Sequence, residues 1–254
     1  MIWNVNPIAL SFGVFEIYWY GILFFLAIIS ATVTMQIIYR IEKLPSEHIY
    51  DQLFNMLIAI FIGARLAECI FYHPHYYFNN PYKIFAIWEG GLSSHGGALG
   101  SIIVVYLYSK KYKINFYWIF DRLVISIAIF AFFIRIANFM NSEIIGIPSS
   151  LPWAIKFQNI DLISRHPVQL YEAFIFLIIF LMLIIIYKKF KKIPKGSLLG
   201  IFLTITFISR FLIEFLKERQ ASYNSEFFLS LGQILSLPFI GIGVYLLTKI
   251  FIIK

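Results

Sequence analysis

Apolar residues in this chain come in long blocks rather than alternating stripes. Seven stretches stand out: Ile17–Tyr39, Gln52–Tyr72, Leu92–Tyr108, Phe116–Ile136, Val168–Tyr187, Ser197–Leu216 and Leu229–Phe251. Their lengths approach the roughly 20 residues that an α-helix needs to cross the hydrocarbon core of a bilayer. Runs such as Phe174–Ile186 are apolar on every side and lack strict alternation, so the pattern predicts helices in lipid rather than barrel strands. The expected fold is all-α integral membrane: a single domain over residues 1–254, with about seven transmembrane helices and a small extracytoplasmic cap. Met1–Tyr20 contains no Lys or Arg, and the first span is too long for the apolar core of a secretory signal, so no cleavable signal peptide is expected.

Composition agrees. Of 254 residues, 60% are hydrophobic and 13% charged, where soluble domains average about 45–50% and about 25%. Mean hydropathy is +0.81. These values exclude a disordered chain and a nucleic-acid binder built on a basic surface, so no nucleic-acid partner is expected and the lipid bilayer is the main environment. The net charge of +8, from 21 Lys and Arg against 13 Asp and Glu, reads as topology. Arg40 and Lys43 follow the first span, and Lys110, Lys111 and Lys113 the third. Lys188, Lys189, Lys191, Lys192 and Lys195 follow the fifth, and Lys249 and Lys254 close the chain. The alternate connections hold only Lys83, Lys156, Arg165, Lys217 and Arg219. Positive-inside bias then places the N-terminus outside and the C-terminus in the cytoplasm. The cap falls at about residues 140–167, which carry Pro148, Pro152, Trp153 and Pro167. A lone Cys69 cannot form an internal disulfide, and the absence of an internal repeat argues against an inverted-repeat transporter.

The informative residues are those that hydrocarbon rejects. Arg65, Arg122, Arg135 and Arg210 lie within or at the ends of apolar spans, where an arginine at the bilayer centre costs roughly 2.5–3.5 kcal/mol. Arg122, beside Asp121, is explained by snorkelling. Arg65 has Glu68 at i+3 and Arg210 has Glu214 at i+4, so local pairing is open to both. Arg135 has no carboxylate at helical spacing, which leaves a distant acid or an anionic ligand; its planar fork suits phosphate. Asn138 and Asn141 continue its stripe at i+3 and i+6, followed by Glu143 and Gly146. That grouping points to a polar pocket more than to an isolated helix cap.

Five of the 14 glycines fall between Trp88 and Ser101, with His95 among them. The glycines permit close helix approach, Gly96 and Gly100 forming a small-xxx-small pair. On chemistry alone His95 is either a hydrogen-bonded structural residue or a proton-transfer group, since an unperturbed imidazole titrates near 6.5. Pro167 suits a first helical turn, and Gln169 and Glu172 follow on one face. Ser230, Gln233 and Ser236 are spaced to join helices. His73 and His75 flank Pro74 without a nearby acid or thiol, a weak metal signal.

Taken together these segments resemble the prolipoprotein diacylglyceryl transferase family. The strongest match is I-R-I-A-N-F-M-N-S-E-I-I-G from Ile134 to Gly146, against a family pattern G-R-x-(G/A)-N-F-x-N-x-E-x-x-G. Further matches, in the family's order, are W-Y-G at Trp19, G-A-R-L at Gly63, W-E-G-G-L-S-S-H-G-G at Trp88 and L-P-W at Leu151. R-H-P-V-Q-L-Y-E at Arg165, R-F-L-I-E-F at Arg210 and G-Q-I-L-S-L-P at Gly232 complete the set. The resemblance implies transfer of the diacylglyceryl group of phosphatidylglycerol to the lipobox cysteine thiol of a preprolipoprotein, with release of glycerol phosphate, in the bacterial cytoplasmic (inner) membrane. It implies Arg135 and Arg210 as phosphate-binding residues and His95 as the base or a lipid ligand. It places Tyr20, Asn138 and Gly146 around the lipid, with Glu143, Glu172 and Glu214 orienting the cationic groups. No cofactor or metal is expected, and the default is a monomer. The chain departs from the family at Ile134, at Tyr18, and at K-E-R-Q from Lys217, where R-x-P-D is common. The competing reading is a phospholipid-handling membrane protein without turnover, such as a lipid transporter. Metal-bound diphosphate chemistry would need clustered aspartates, and Asp51, Asp121 and Asp161 are far apart.

Overall fold

The computed structural model describes residues 1–45, 47–86, 90–91, 93–190, 192–218 and 229–252, with side chains left aside at 47, 48, 94, 95 and 250–252. Eight α-helices carry the described chain: α1 Trp19–Ile41, α2 Glu47–Ala67, α3 Pro74–Asn79, α4 Ser94–Lys111, α5 Phe116–Met140, α6 Val168–Lys189, α7 Ser197–Ile213 and α8 Leu231–Ile252. Six of them, α1, α2, α5, α6, α7 and α8, are long and apolar enough to cross a membrane. α4 differs because its 18 residues open on S-H-G-G and close on Lys110 and Lys111, which shortens its apolar part.

The contacts divide the chain into two units. One comprises Met35–Phe120; the other comprises Met1–Thr34 together with Asp121–Lys254. In the first unit α2 packs closely on α4. A Cβ on Gly96 would collide with the Gly63 carbonyl and the Ala67 methyl, and one on Gly100 with the Ala59 carbonyl. The glycines serve close approach, as the small-residue spacing predicts. Ser93 caps α4 by accepting from the Gly96 N–H, and its own N–H donates to Ala64 O at 3.0 Å. Arg65, expected to pair with Glu68, donates instead to the carbonyls of Lys83, Ile84, Ala86, Gly90 and Gly91. Glu68 takes His73 at 2.8 Å. Arg65 is thus a structural residue, with carbonyl oxygens rather than a carboxylate as partners.

In the second unit the ends of the helices are fixed by polar groups. Asp121 is buried and accepts from Gly196 N at 2.7 Å and Leu199 N at 2.9 Å, placing a carboxylate at the N-terminus of α7, where it complements the helix dipole. Arg122 does not snorkel. It is buried, with its guanidinium 5.7 Å from the centre of the Tyr187 ring.

Five short strands accompany the helices. β2 Ile8–Phe12 and β3 Phe15–Tyr18 form a hairpin that runs directly into α1, so the helix starts at Trp19 rather than at Ile17. β1 Ile2–Trp3 pairs in parallel with β4 Ile155–Phe157, which pairs antiparallel with β5 Ser164–Arg165. The 140–167 segment therefore forms a small sheet with the N-terminal strand. Its small core joins Phe139, Ile145, Ile155 and Phe157, with the Trp3 ring tilted against Phe139 at 4.3 Å between centres.

Candidate functional site

The motif residues of α5 sit in its last two turns and in the loop that follows. Arg135 Nη1 donates to Asn138 Oδ1 at 3.2 Å, Asn138 Nδ2 donates to Glu143 Oε2 at 3.0 Å, and Asn141 Nδ2 donates to Glu143 Oε1 at 3.0 Å. Gln169 of α6 donates to the Glu143 carbonyl. The loop is bent sharply at Ser142 and Ile144, whose φ angles are 55° and 53°. A β-branched residue rarely adopts that region, and such strain costs of order 1–3 kcal/mol and gathers at functional sites.

On its other side Arg135 meets a distant acid, one of the two partners its sequence context left open. Nε stands 3.0 Å from Glu172 Oε2 of α6, at ion-pair distance though without hydrogen-bond alignment. Lys217 Nζ lies 2.7 Å from Glu172 Oε1 and 3.4 Å from Glu214 Oε2. Glu214 Oε1 accepts from Ser230 Oγ at 3.0 Å, and Gly232 at the start of α8 rests against this carboxylate, where a Cβ would come within 2.5 Å of Oε1. The result is a chain of charges, Arg135–Glu172–Lys217–Glu214, whose formal sum is zero.

Lys217 was absent from the sequence candidates. A backbone ladder brings it in. Gly146 bridges to Lys217, Ile147 N donates to Leu216 O at 2.9 Å, and Glu218 N donates to Ile145 O at 3.1 Å. On the opposite edge Gly146 N donates to His166 O at 3.2 Å. Residues 145–147 thus run between His166 and the segment after α7. A Cβ on Gly146 would come within 2.5 Å of His166 O and 2.8 Å of Leu216 O, so this glycine sets the spacing of the ladder. Arg165 closes it. The side chain is buried, donates to Gly146 O at 3.1 Å, pairs with Asp161 at 2.6 Å and reaches Glu218 at 3.2 Å. The hydrogen bonds from Arg165 hold the Asp161 carboxyl below the usual carboxylate range.

Arg210 does not pair with Glu214, whose carboxylate is taken by Lys217 and Ser230. It is exposed on the last turn of α7 and has no ion-pair partner among the described residues. It shares a cavity of about 60 Å³ with Arg135 and Glu172, walled by Phe176, Phe207 and Ile213. That volume is several times the roughly 10–15 Å³ that one buried water requires. Tyr20, in the first turn of α1, lies within electrostatic range of Arg135 and Glu143. One unit therefore brings together Tyr20, Arg135, Asn138, Glu143, Gly146, Glu172, Arg210 and Glu214. His95 belongs to the other unit as the second residue of α4, and its side chain lies outside the described residues.

Two arginines and a neutralised acid chain at an apolar-walled cavity are suited to a phosphate-bearing lipid headgroup, and the comparisons with known proteins bear on which one. The family model described as prolipoprotein diacylglyceryl transferase matches residues 7–249. The chain belongs to the prolipoprotein diacylglyceryl transferase family. Among its relatives is the phosphatidylglycerol–prolipoprotein diacylglyceryl transferase of Tolumonas auensis, 42% identical over 248 residues that cover 97% of this chain and 96% of the relative. The protein of the same name from Chloroherpeton thalassium is 42% identical over 247 residues, covering 96% and 92%. That of Bacteroides fragilis is 40% identical over 257 residues, covering 96% and 92%. In this transferase chain the K-E-R-Q departure acquires a structural meaning: Lys217 is the cation that offsets Glu172 and Glu214.

Proposed function

We propose that this chain catalyses the reaction for which its relatives are named, transferring the diacylglyceryl group of phosphatidylglycerol to the lipobox cysteine of a preprolipoprotein. The cysteine thiolate attacks the diacylglyceryl carbon that bears the phosphate ester. A C–S bond forms, the C–O bond breaks, and its electron pair leaves on the phosphate oxygen as glycerol phosphate. The cysteine proton must go to a base, and His95, by its place in the matching motif, fills that role.

The observation that carries this reading is the pairing of unlike arginines on one cavity. Arg135 is fixed by Asn138 and Glu172, while Arg210 carries a charge that no described residue offsets. With the acid chain internally balanced, a phosphate entering the cavity meets a preorganised donor and a cation without an ion-pair partner among the described residues. Both gain as negative charge builds on the departing oxygen. Glu172 and Lys217 position Arg135, Glu143 holds Asn138, and Tyr20 lies within electrostatic range of Arg135 and Glu143.

The positive-inside distribution supports a finer topology. α4 serves as a seventh span, the N-terminus and cap lie outside, and the C-terminus lies in the cytoplasm of a bacterial cell whose inner membrane holds the enzyme as a monomer. The test is reconstitution in detergent with phosphatidylglycerol and a lipobox peptide, following glycerol phosphate. Release is expected only with both substrates, and the peptide should gain no diacylglyceryl group when phosphatidylcholine replaces phosphatidylglycerol. Equal release with a peptide whose cysteine is replaced by serine would overturn the reading.

A further inference from the structure

The β2–β3 hairpin has a chemistry that the transfer reaction does not use. Its register pairs Leu10 with Ile17, Ser11 with Glu16, and Phe12 with Phe15. Opposed residues share a face, and so do residues two apart on one strand. One face therefore collects Leu10, Phe12, Phe15 and Ile17. The other carries Ser11, Glu16 and Tyr18, whose hydroxyl donates to Glu16 Oε2 at 2.8 Å. The four apolar side chains are 50%, 64%, 75% and 41% exposed. These two strands form a sheet of their own, and a lone two-stranded hairpin is marginal in water unless its apolar face is covered. A contiguous exposed apolar patch marks an interaction surface.

Continuity identifies what covers it. Tyr18 ends β3 and Trp19 begins α1 with no linker between them, and Trp19 N donates to Pro7 O at 3.0 Å. Both ends of the hairpin are thus held at the N-terminal end of a membrane-length apolar helix. Met1–Tyr39 has no Lys or Arg, and its one acid, Glu16, lies on the polar face. Tyr18, Trp19 and Tyr20 at the junction are residues that favour the membrane–water interface.

We infer that the β2–β3 hairpin is seated in the bilayer interface, with Leu10, Phe12, Phe15 and Ile17 entering lipid beside the start of α1 and Ser11 and Glu16 facing water. The four side chains do not line the Arg135–Arg210 cavity, so failure of this inference leaves the transferase reading intact. The test uses the full chain with Cys69→Ser and one cysteine placed by Leu10→Cys, Phe15→Cys or Ser11→Cys. Each is labelled with an environment-sensitive fluorophore in vesicles of phosphatidylcholine and phosphatidylglycerol containing a shallow doxyl-labelled lipid. Retained transferase turnover certifies the fold of each variant, and Leu10→Cys alone suffices for the apolar face if Phe15→Cys is inactive. Probes on the apolar face should be quenched several-fold more than the probe at position 11, without added peptide and at every protein-to-lipid ratio. Equal quenching on both faces, or none, overturns the inference. Protection that appears only with a lipobox peptide assigns the face to the substrate and overturns it, as does protection only at high protein density, which assigns it to a second copy.

Discussion

Arg135 and Arg210 differ in what their removal does. Arg210 has no ion-pair partner among the described residues, so Arg210→Ala should lower turnover by about 10²–10³-fold, as loss of a charge-stabilising donor does, with an unchanged melting temperature. Arg135→Ala should lose as much activity and also melt earlier, because Glu172 loses a partner at 3.0 Å. Kinetics and thermal unfolding of both variants in one detergent check the contrast, and a fully active Arg210→Ala would remove the phosphate role. Lys217 makes the complementary case. Lys217→Met strands two carboxylates of low exposure, and breaking a buried pair costs about 3–5 kcal/mol. Lys217→Arg should keep most of that stability; equal melting of Lys217→Met and wild type would contradict the network. At this scale the sequence was partly legible. The helical spacing around Arg135 exposed its need for a distant acid or an anionic ligand, yet nothing in the spacing tied Lys217 to Glu172, because their meeting depends on the ladder through Gly146. Arg65 shows the converse: a local carboxylate was available, but the carbonyls of Lys83, Ile84, Ala86, Gly90 and Gly91 took its place.

At the scale of elements, the helices were readable because lipid demands unbroken apolar length, and six described spans follow the hydropathy blocks. The strands were not. Leu10-Ser11-Phe12 and Phe15-Glu16-Ile17 do alternate about Gly13, but each run is short and the second merges into the first apolar block. β1 pairs with β4 across most of the chain's length, a relation no local pattern encodes. The α2–α4 contact was legible in its glycines and can be tested there. Gly96→Leu would drive a side chain into the Gly63 carbonyl and Ala67. Overpacking costs typically 1–3 kcal/mol and more against backbone, so this variant should melt well below wild type while Leu99→Ile, at an exposed position of the same helix, should not. Equal stability of the two would show that α2 and α4 do not pack through Gly96.

Across the whole molecule, the basic excess separates into two populations. Lysines concentrated after alternate spans orient the chain in the positive-inside reading, whereas the cations of the candidate site are Arg135, Arg210 and Lys217, gathered with their acids in one unit. Family membership gives the reaction its name; the Arg135–Arg210 cavity is its proposed place. The most direct measurement of that joint claim is the mass of a lipobox peptide after incubation with phosphatidylglycerol of defined acyl chains and purified enzyme. Wild type should add one diacylglyceryl group to the cysteine, and Arg210→Ala, folded and equally stable, should leave the peptide almost unmodified. An unmodified peptide with wild type, or full conversion by Arg210→Ala, would contradict the account.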